Sequence, residues 1–248
     1  MTERLENMKI ITTEDYNELS EKAAKIIANK LILNPKTILG LATGSTPIGT
    51  YKELIRLYSE KFISFDKVIT FNLDEYYGLD YENVNSYHYF MNKNLFNSVD
   101  IKKENINIPD GLAESLEKEC ESYESKIKSC GGVDIQILGI GRNGHIGFNE
   151  PHCKFGSTTH VVSLDEDTRK ANARFFRNIE EVPKKAITMG IKTIMNAKEI
   201  LLLVSGEDKS KAIYETVYGN VTESVPSSVL QLHPNVTIIV DRKGAKLL

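Results

Sequence analysis

The sequence predicts one α/β domain over residues 1–248, a mostly parallel sheet with helices on both faces. Three observations predict it. Short apolar runs alternate with amphipathic stretches along nearly the whole chain. The apolar runs are continuous rather than alternating, as in strands buried on both faces. No linker, repeat or low-complexity segment divides the 248 residues, and α/β folds reach about 250 residues as one unit.

The elements follow in order. Residues 12–31 place Tyr16, Leu19, Ala23, Ile26, Ile27 and Leu31 on one helical face, with Thr12 or Thr13 as cap. Asn34-Pro35 ends this helix. Residues 37–42 read as a buried strand. Thr43-Gly44-Ser45-Thr46-Pro47 follows, then a helix carrying Ile48, Tyr51, Leu54, Ile55 and Tyr58, with Thr46 suited to its cap and Pro47 to its first position. Residues 67–73 form the next strand, ending at Asp74-Glu75. Helices are expected over 84–97 and 112–129. A strand at 133–138 runs into GIGRNGHIGFNEP at 139–151. Strands at 160–164, 186–190, 200–204 and 236–240 and a helix from about 209 complete the pattern. In such sheets ligands bind beyond the carboxyl ends of the strands. The polar loops 43–47, 72–77 and 139–151 all lie at strand ends, so parallel strands bring them to one edge.

Composition narrows the function. The chain is 41% hydrophobic and 26% charged, as in ordinary globular proteins. A net charge of −3 offers no field for nucleic acid or an anionic membrane. No run approaches the roughly 20 apolar residues of a membrane span, and the first residues, MTERLENMKIITTEDY, lack the apolar centre of a secretory leader. Cys120, Cys130 and Cys153 are odd in number and form no C-x-x-C, which points to a reducing cytoplasm and away from a zinc site.

Gly139-Ile140-Gly141-Arg142-Asn143-Gly144 fits the glycine spacing of a dinucleotide turn, with Asp165 and Glu166 near the distance of a ribose contact. The fingerprint requires a helix next, and Gly147, Asn149 and Pro151 interrupt it. A metal held by His145, Glu150 and His152 matches no common zinc spacing. What remains is either a tight loop whose polar groups serve its own backbone or a histidine oriented by a carboxylate to move protons. His88, His160 and His233 have no such company and read as structural or surface residues. Thr43–Pro47 joins free amides and hydroxyls to a helix start, which suits an anion or a plain turn. Asp74 and Glu75 each fit a catalytic carboxylate or a solvated loop, and Asp74 lies nearer the sheet.

TGSTP at 43–47, FNLDEY at 71–76, GIGRNGHIGFNEP at 139–151 and ANARFF at 171–176 resemble the glucosamine-6-phosphate deaminase family, in order and spacing. 6-Phosphogluconolactonases and sugar-sensing domains of some transcription regulators resemble the chain more loosely. The resemblance implies a single Rossmann-like domain that converts glucosamine 6-phosphate and water to fructose 6-phosphate and ammonia. It implies Asp74 as enolisation base, and His145 as the proton carrier of ring opening, oriented by Glu150 and Asn143. Gly44, Ser45, Thr46, Arg174 and Lys209 would hold the phosphate, with Lys211 the competing register for Lys209. Neither a nicotinamide nor a metal cofactor is needed for these proton transfers. Where some members carry Asp, this chain has Asn143, which is neutral and does not raise the pKa of His145 as Asp would.

The implied partner is a small sugar phosphate, with no nucleic acid and no membrane. The family includes hexamers activated by N-acetylglucosamine 6-phosphate, so a homo-oligomer is compatible with the sequence. His160 and Val162 stand where those members place an Arg and a Lys on the activator's phosphate, and the chain ends soon after its last strand. The expectation is an unregulated enzyme.

Overall fold

The computed structural model describes residues 8–164, 169, 176 and 178–248. Arg174, the pair Asp165-Glu166 and most of ANARFF lie outside the described residues.

Seven parallel strands form the main sheet in the order β1 (Met8–Thr13), β10 (Val236–Asp241), β9 (Ile200–Val204), β6 (Ile135–Gly139), β2 (Ile38–Leu41), β3 (Ile69–Asn72), β5 (Ile106–Asn107). β2, β9 and β10 are buried at every position, which accounts for their unbroken apolar sequence. From β2 the chain steps outward through β3 to β5, then returns to place β6 on the other side of β2, with Leu39 opposite Ile135. The strand order reverses there, so a ligand crevice is expected beyond the carboxyl ends of β2 and β6. The connections follow from the same topology. The crossover from β2 to β3 through α2 (Ile48–Ser59) and that from β5 to β6 through α4 (Leu116–Ser129) run in opposite directions. Right-handed crossovers then put the two helices on opposite faces. On the α4 face, Tyr123 meets Phe71 edge-on at 5.7 Å.

A second sheet stands at the rim. β4 (Asp74–Tyr76), β8 (Lys185–Thr188) and β7 (His160–Ser163) pair antiparallel in the order β4-β8-β7. The loop expected at 72–77 is thus largely a strand. Leu73 N–H still bonds Leu41 O, and Met189 N–H bonds Leu73 O, so the chain passes from one sheet to the other within one residue.

Other departures concern ends. β1 was not expected, because as an edge strand it buries only Met8 and Thr13 and lacks the apolar run of its neighbours. It displaces the start of α1 (Tyr16–Leu33), whose cap is Asp15, accepting from the amides of Asn17 and Glu18, rather than Thr12 or Thr13. The helix expected over 84–97 shortens to α3 (Tyr87–Asn94), capped by Ser86, and that over 112–129 begins at Leu116 after Ser115. α5 (Ile191–Met195) and α6 (Ser210–Tyr218) complete the described helices. No described helix is long and apolar enough to cross a membrane.

Candidate active site

The turn after β2 presents Gly44 and Ser45 to solvent and half-buries Thr43 and Thr46. Gly44 has φ +94° with open space around it, a conformation that glycine adopts freely. Thr46 is not the helix cap. Pro47 occupies that position and makes no side-chain cap, so α2 takes no cap from its own N-terminal residue. The turn is braced from α1: Tyr16 Oη accepts from Gly49 N–H at 2.8 Å and donates to Ser45 O at 3.0 Å.

Asp74 and Glu75 are both buried, at 6% and 1% exposure, and the structure gives them different work. Glu75 accepts from the amides of Tyr76 at 2.8 Å and of Tyr87 and His88 at 2.9 Å, and sits 2.8 Å from His88 Nδ1. It therefore caps the start of α3 with a negative charge, where the helix dipole favours one. His88 is a structural partner in this cap and lies over the Tyr81 ring, centroids 4.3 Å apart. Among the described residues, Asp74 has no side-chain hydrogen bond or ion pair. Burial, and then the like charge of Glu75, push its pKa up to about 8. Tyr76, on the same strand, packs with Tyr87 and Phe148 as an aromatic cluster, 4.9 Å from Tyr87 and 5.5 Å from Phe148 between centroids.

The loop after β6 folds back on itself rather than entering a helix, which ends the dinucleotide reading. Gly141 N–H bonds His145 O at 2.9 Å, and Asn149 Nδ2 donates to Ile146 O and Met189 O at 2.9 Å. Gly141 and Gly147 each allow a close contact. A Cβ on Gly141 would lie 2.3 Å from the His145 ring, so the imidazole stacks directly on this backbone. Gly147, at φ +58°, would place a Cβ 3.5 Å from Asp74 Oδ2 and 3.0 Å from Thr188 Oγ1. The glycine loop is thus the wall facing Asp74.

Asn143, His145 and Glu150 come together in this loop. Asn143 Nδ2 donates to Glu150 Oε2 at 2.6 Å, and Asn143 Oδ1 accepts the His145 amide at 3.2 Å. His145 Nδ1 lies 3.1 Å from Glu150 Oε1 but is not aligned as a hydrogen bond, leaving that buried nitrogen unsatisfied. Glu150 thus stands on the Nδ1 side of the ring, with Nε2 on the other side. His152 is exposed and held by its backbone, donating to Glu223 O at 2.6 Å. Among the described residues, no group of three or more His, Cys, Asp or Glu side chains is arranged to hold a metal ion.

Lys209 closes the turn Glu207–Lys209 after β9, on the same sheet edge, with Nζ 3.8 Å from Asp208 Oδ2. Lys211 lies one position inside α6 and is exposed. Asp208 also receives Arg142 Nε at 2.7 Å, linking this turn to the glycine loop. Sequence reasoning missed Tyr16 and the helix-capping role of Glu75. Only the tertiary fold brings the first to Ser45 and the second to α3.

The chain resembles known proteins over almost its whole length. A family model described as glucosamine-6-phosphate isomerases/6-phosphogluconolactonase matches residues 13–239. A glucosamine-6-phosphate deaminase from Clostridium botulinum is 57% identical over 241 residues, covering 97% of both chains. A solved structure described as a monomeric glucosamine-6-phosphate deaminase superposes with TM-score 0.95 at 51% identity, covering 97% of this chain and all of the other. A 6-phosphogluconolactonase from Thermotoga maritima shares the fold, with TM-score 0.76 at 22% identity over 95% of this chain and 100% of its own. The chain belongs to the glucosamine-6-phosphate isomerase/6-phosphogluconolactonase family.

Proposed function

We propose that the protein is a glucosamine-6-phosphate deaminase, converting glucosamine 6-phosphate and water to fructose 6-phosphate and ammonia by acid–base catalysis. Relatives named for this activity, 54–57% identical over almost the whole chain, support the reaction. The roles of individual residues rest on geometry and on the family resemblance.

The cyclic substrate must open before its amine-bearing carbon can react. The anomeric hydroxyl loses a proton and the ring oxygen gains one. His145 carries this proton, with Glu150 beside Nδ1 and Asn143 tying Glu150 to the loop. Asp74 then takes the proton from C2 as the C1 carbonyl oxygen gains one, and a proton returns to C1 as the ammonium gives one up, which leaves a hydroxyl on C1 and an iminium at C2. Water adds to that carbon, ammonia departs, and the ketose remains. Burial raises the basicity of the Asp74 carboxylate, and the substrate's ammonium favours its ionised form in the complex, which suits it to take a proton from a weak carbon acid. Gly44, Ser45 and Thr46 receive the phosphate on amides and hydroxyls at the start of α2. Lys209 adds a cation from the neighbouring turn. Arg174 is proposed as its partner on sequence resemblance alone.

The observation that carries this reading is the division of labour between the two buried carboxylates, with Glu75 saturated by donors and Asp74 left facing the glycine loop. A lactonase needs no base at C2, so the test is direct. Purified protein should release ammonia and fructose 6-phosphate in equal amounts from glucosamine 6-phosphate. Hydrolysis of 6-phosphogluconolactone without ammonia release would replace this reading with the lactonase one.

A further inference from the structure

One buried carboxylate at the site's edge of the sheet has no part in the chemistry above. Asp241 ends β10 and is 4% exposed. It accepts from Ser205 Oγ at 2.6 Å, from Gly206 N–H at 3.1 Å to each oxygen, and from Gly244 N–H at 2.7 Å. A carboxylate is costly to bury unless its oxygens are satisfied. Here every donor comes from two turns, so what the charge fixes is the path of those turns.

The first turn is the one that carries Lys209. Val240 pairs with Val204, so Asp241 stands beside the point where β9 ends. Ser205 and Gly206 follow at once, and Gly206 takes φ +100°, where a side chain would be strained. The turn Glu207–Lys209 begins directly after it. The second turn, Gly244–Leu247, reinforces the first, because Lys246 pairs with Glu207.

We propose that Asp241 is a positioning residue for substrate binding: it fixes the Ser205–Gly206 backbone and so presents Lys209 to the sugar's phosphate. The inference rests on the reading of Lys209 as a phosphate ligand.

The experiment is a double-variant cycle on the full-length protein, reading KM and kcat for glucosamine 6-phosphate together with the thermal midpoint. Lys209→Met removes a charged donor and should raise KM about tenfold or more. Asp241→Asn should raise KM in the same direction with kcat little changed, the pattern of lost uniform binding. The double variant should be no worse than Lys209→Met alone, because Asp241 acts only through that lysine. Ser205→Ala, which removes a single donor to Asp241, should show the same coupling at smaller size and covers the case in which Asp241→Asn does not fold. Additive KM effects, or a fall in thermal midpoint with KM unchanged, would overturn the positioning role. An unchanged KM in Lys209→Met would overturn the phosphate reading of Lys209, and the inference with it.

Discussion

Asp74 and Glu75 are neighbours on one three-residue strand, yet the amides of Tyr76, Tyr87 and His88 all go to Glu75, with His88 Nδ1 beside it. Asp74 is left without a side-chain partner among the described residues, 3.5 Å from where a Cβ on Gly147 would lie. Alternation along the strand sends the two carboxylates to opposite sides. One side is a helix cap and the other faces the candidate site.

Substitution separates these two roles. Asp74→Asn should lower kcat by about 10²–10⁴-fold while leaving KM nearly unchanged, as removal of a general base does. Glu75→Gln should instead act on stability, costing about 1–3 kcal/mol for amides left unsatisfied at the start of α3. Steady-state kinetics and denaturant unfolding on the same preparations distinguish the two. Equal losses of turnover in both variants would contradict the division.

The pH profile carries the mark of Asp74. Its pKa of about 8 makes it protonated, and idle as a base, below that pH in the free protein. The acid limb of kcat/KM, which reports the free enzyme, should therefore fall near pH 8. The ammonium group of the bound substrate favours the ionised carboxylate, so the acid limb of kcat should lie lower. Superimposable limbs, both in the ordinary carboxylate range, would show that Asp74 is not the titrating base.

The same shift has a consequence for stability. Burial holds the Asp74 pKa at about 8 in the folded state, against 3.8 for an exposed aspartate. The folded state binds its proton more tightly, so this contribution is fully present below pH 3.8 and is lost as pH rises through 8. Asp74→Asn stays neutral throughout. The variant should gain thermal midpoint over the parent progressively from pH 5 to pH 8, which differential scanning at several pH values measures. A constant difference would mean that burial does not shift this group.

Gly141→Ala tests the glycine loop. Its Cβ would enter the His145 ring at 2.3 Å, and the ring is the end of a movable side chain. The imidazole should swing away with little loss of fold, and turnover of the cyclic substrate should drop at least about tenfold. Unchanged turnover would remove His145 from ring opening.

The sheet was legible because β2, β9 and β10 are apolar at consecutive positions, and three polar loops follow strands of one parallel sheet. The convergence of Asn143 and His145 on Glu150 was legible because the three are close in sequence. β1 was not, since an edge strand buries too little to leave a pattern. The rim strand at Asp74–Tyr76 was read as a loop because its partner, Lys185–Thr188, lies more than a hundred residues away. Asp74 was assigned over Glu75 by the family resemblance rather than by the local pattern, because the amides that claim Glu75 arrive from α3. Tyr16 and Asp241 brace the 43–49 and 205–209 turns from distant elements, and nothing local marks either.

The central claim is that Asp74 moves the proton between C2 and C1 and that His145 acts only in ring opening. Incubating fructose 6-phosphate with ammonium in D2O and following deuterium at C1 by NMR measures the first step without the second. The parent protein should exchange one C1 hydrogen, His145→Gln should retain most of that exchange while losing deamination of the cyclic sugar, and Asp74→Asn should lose the exchange. Exchange at the parent rate in Asp74→Asn would contradict the account.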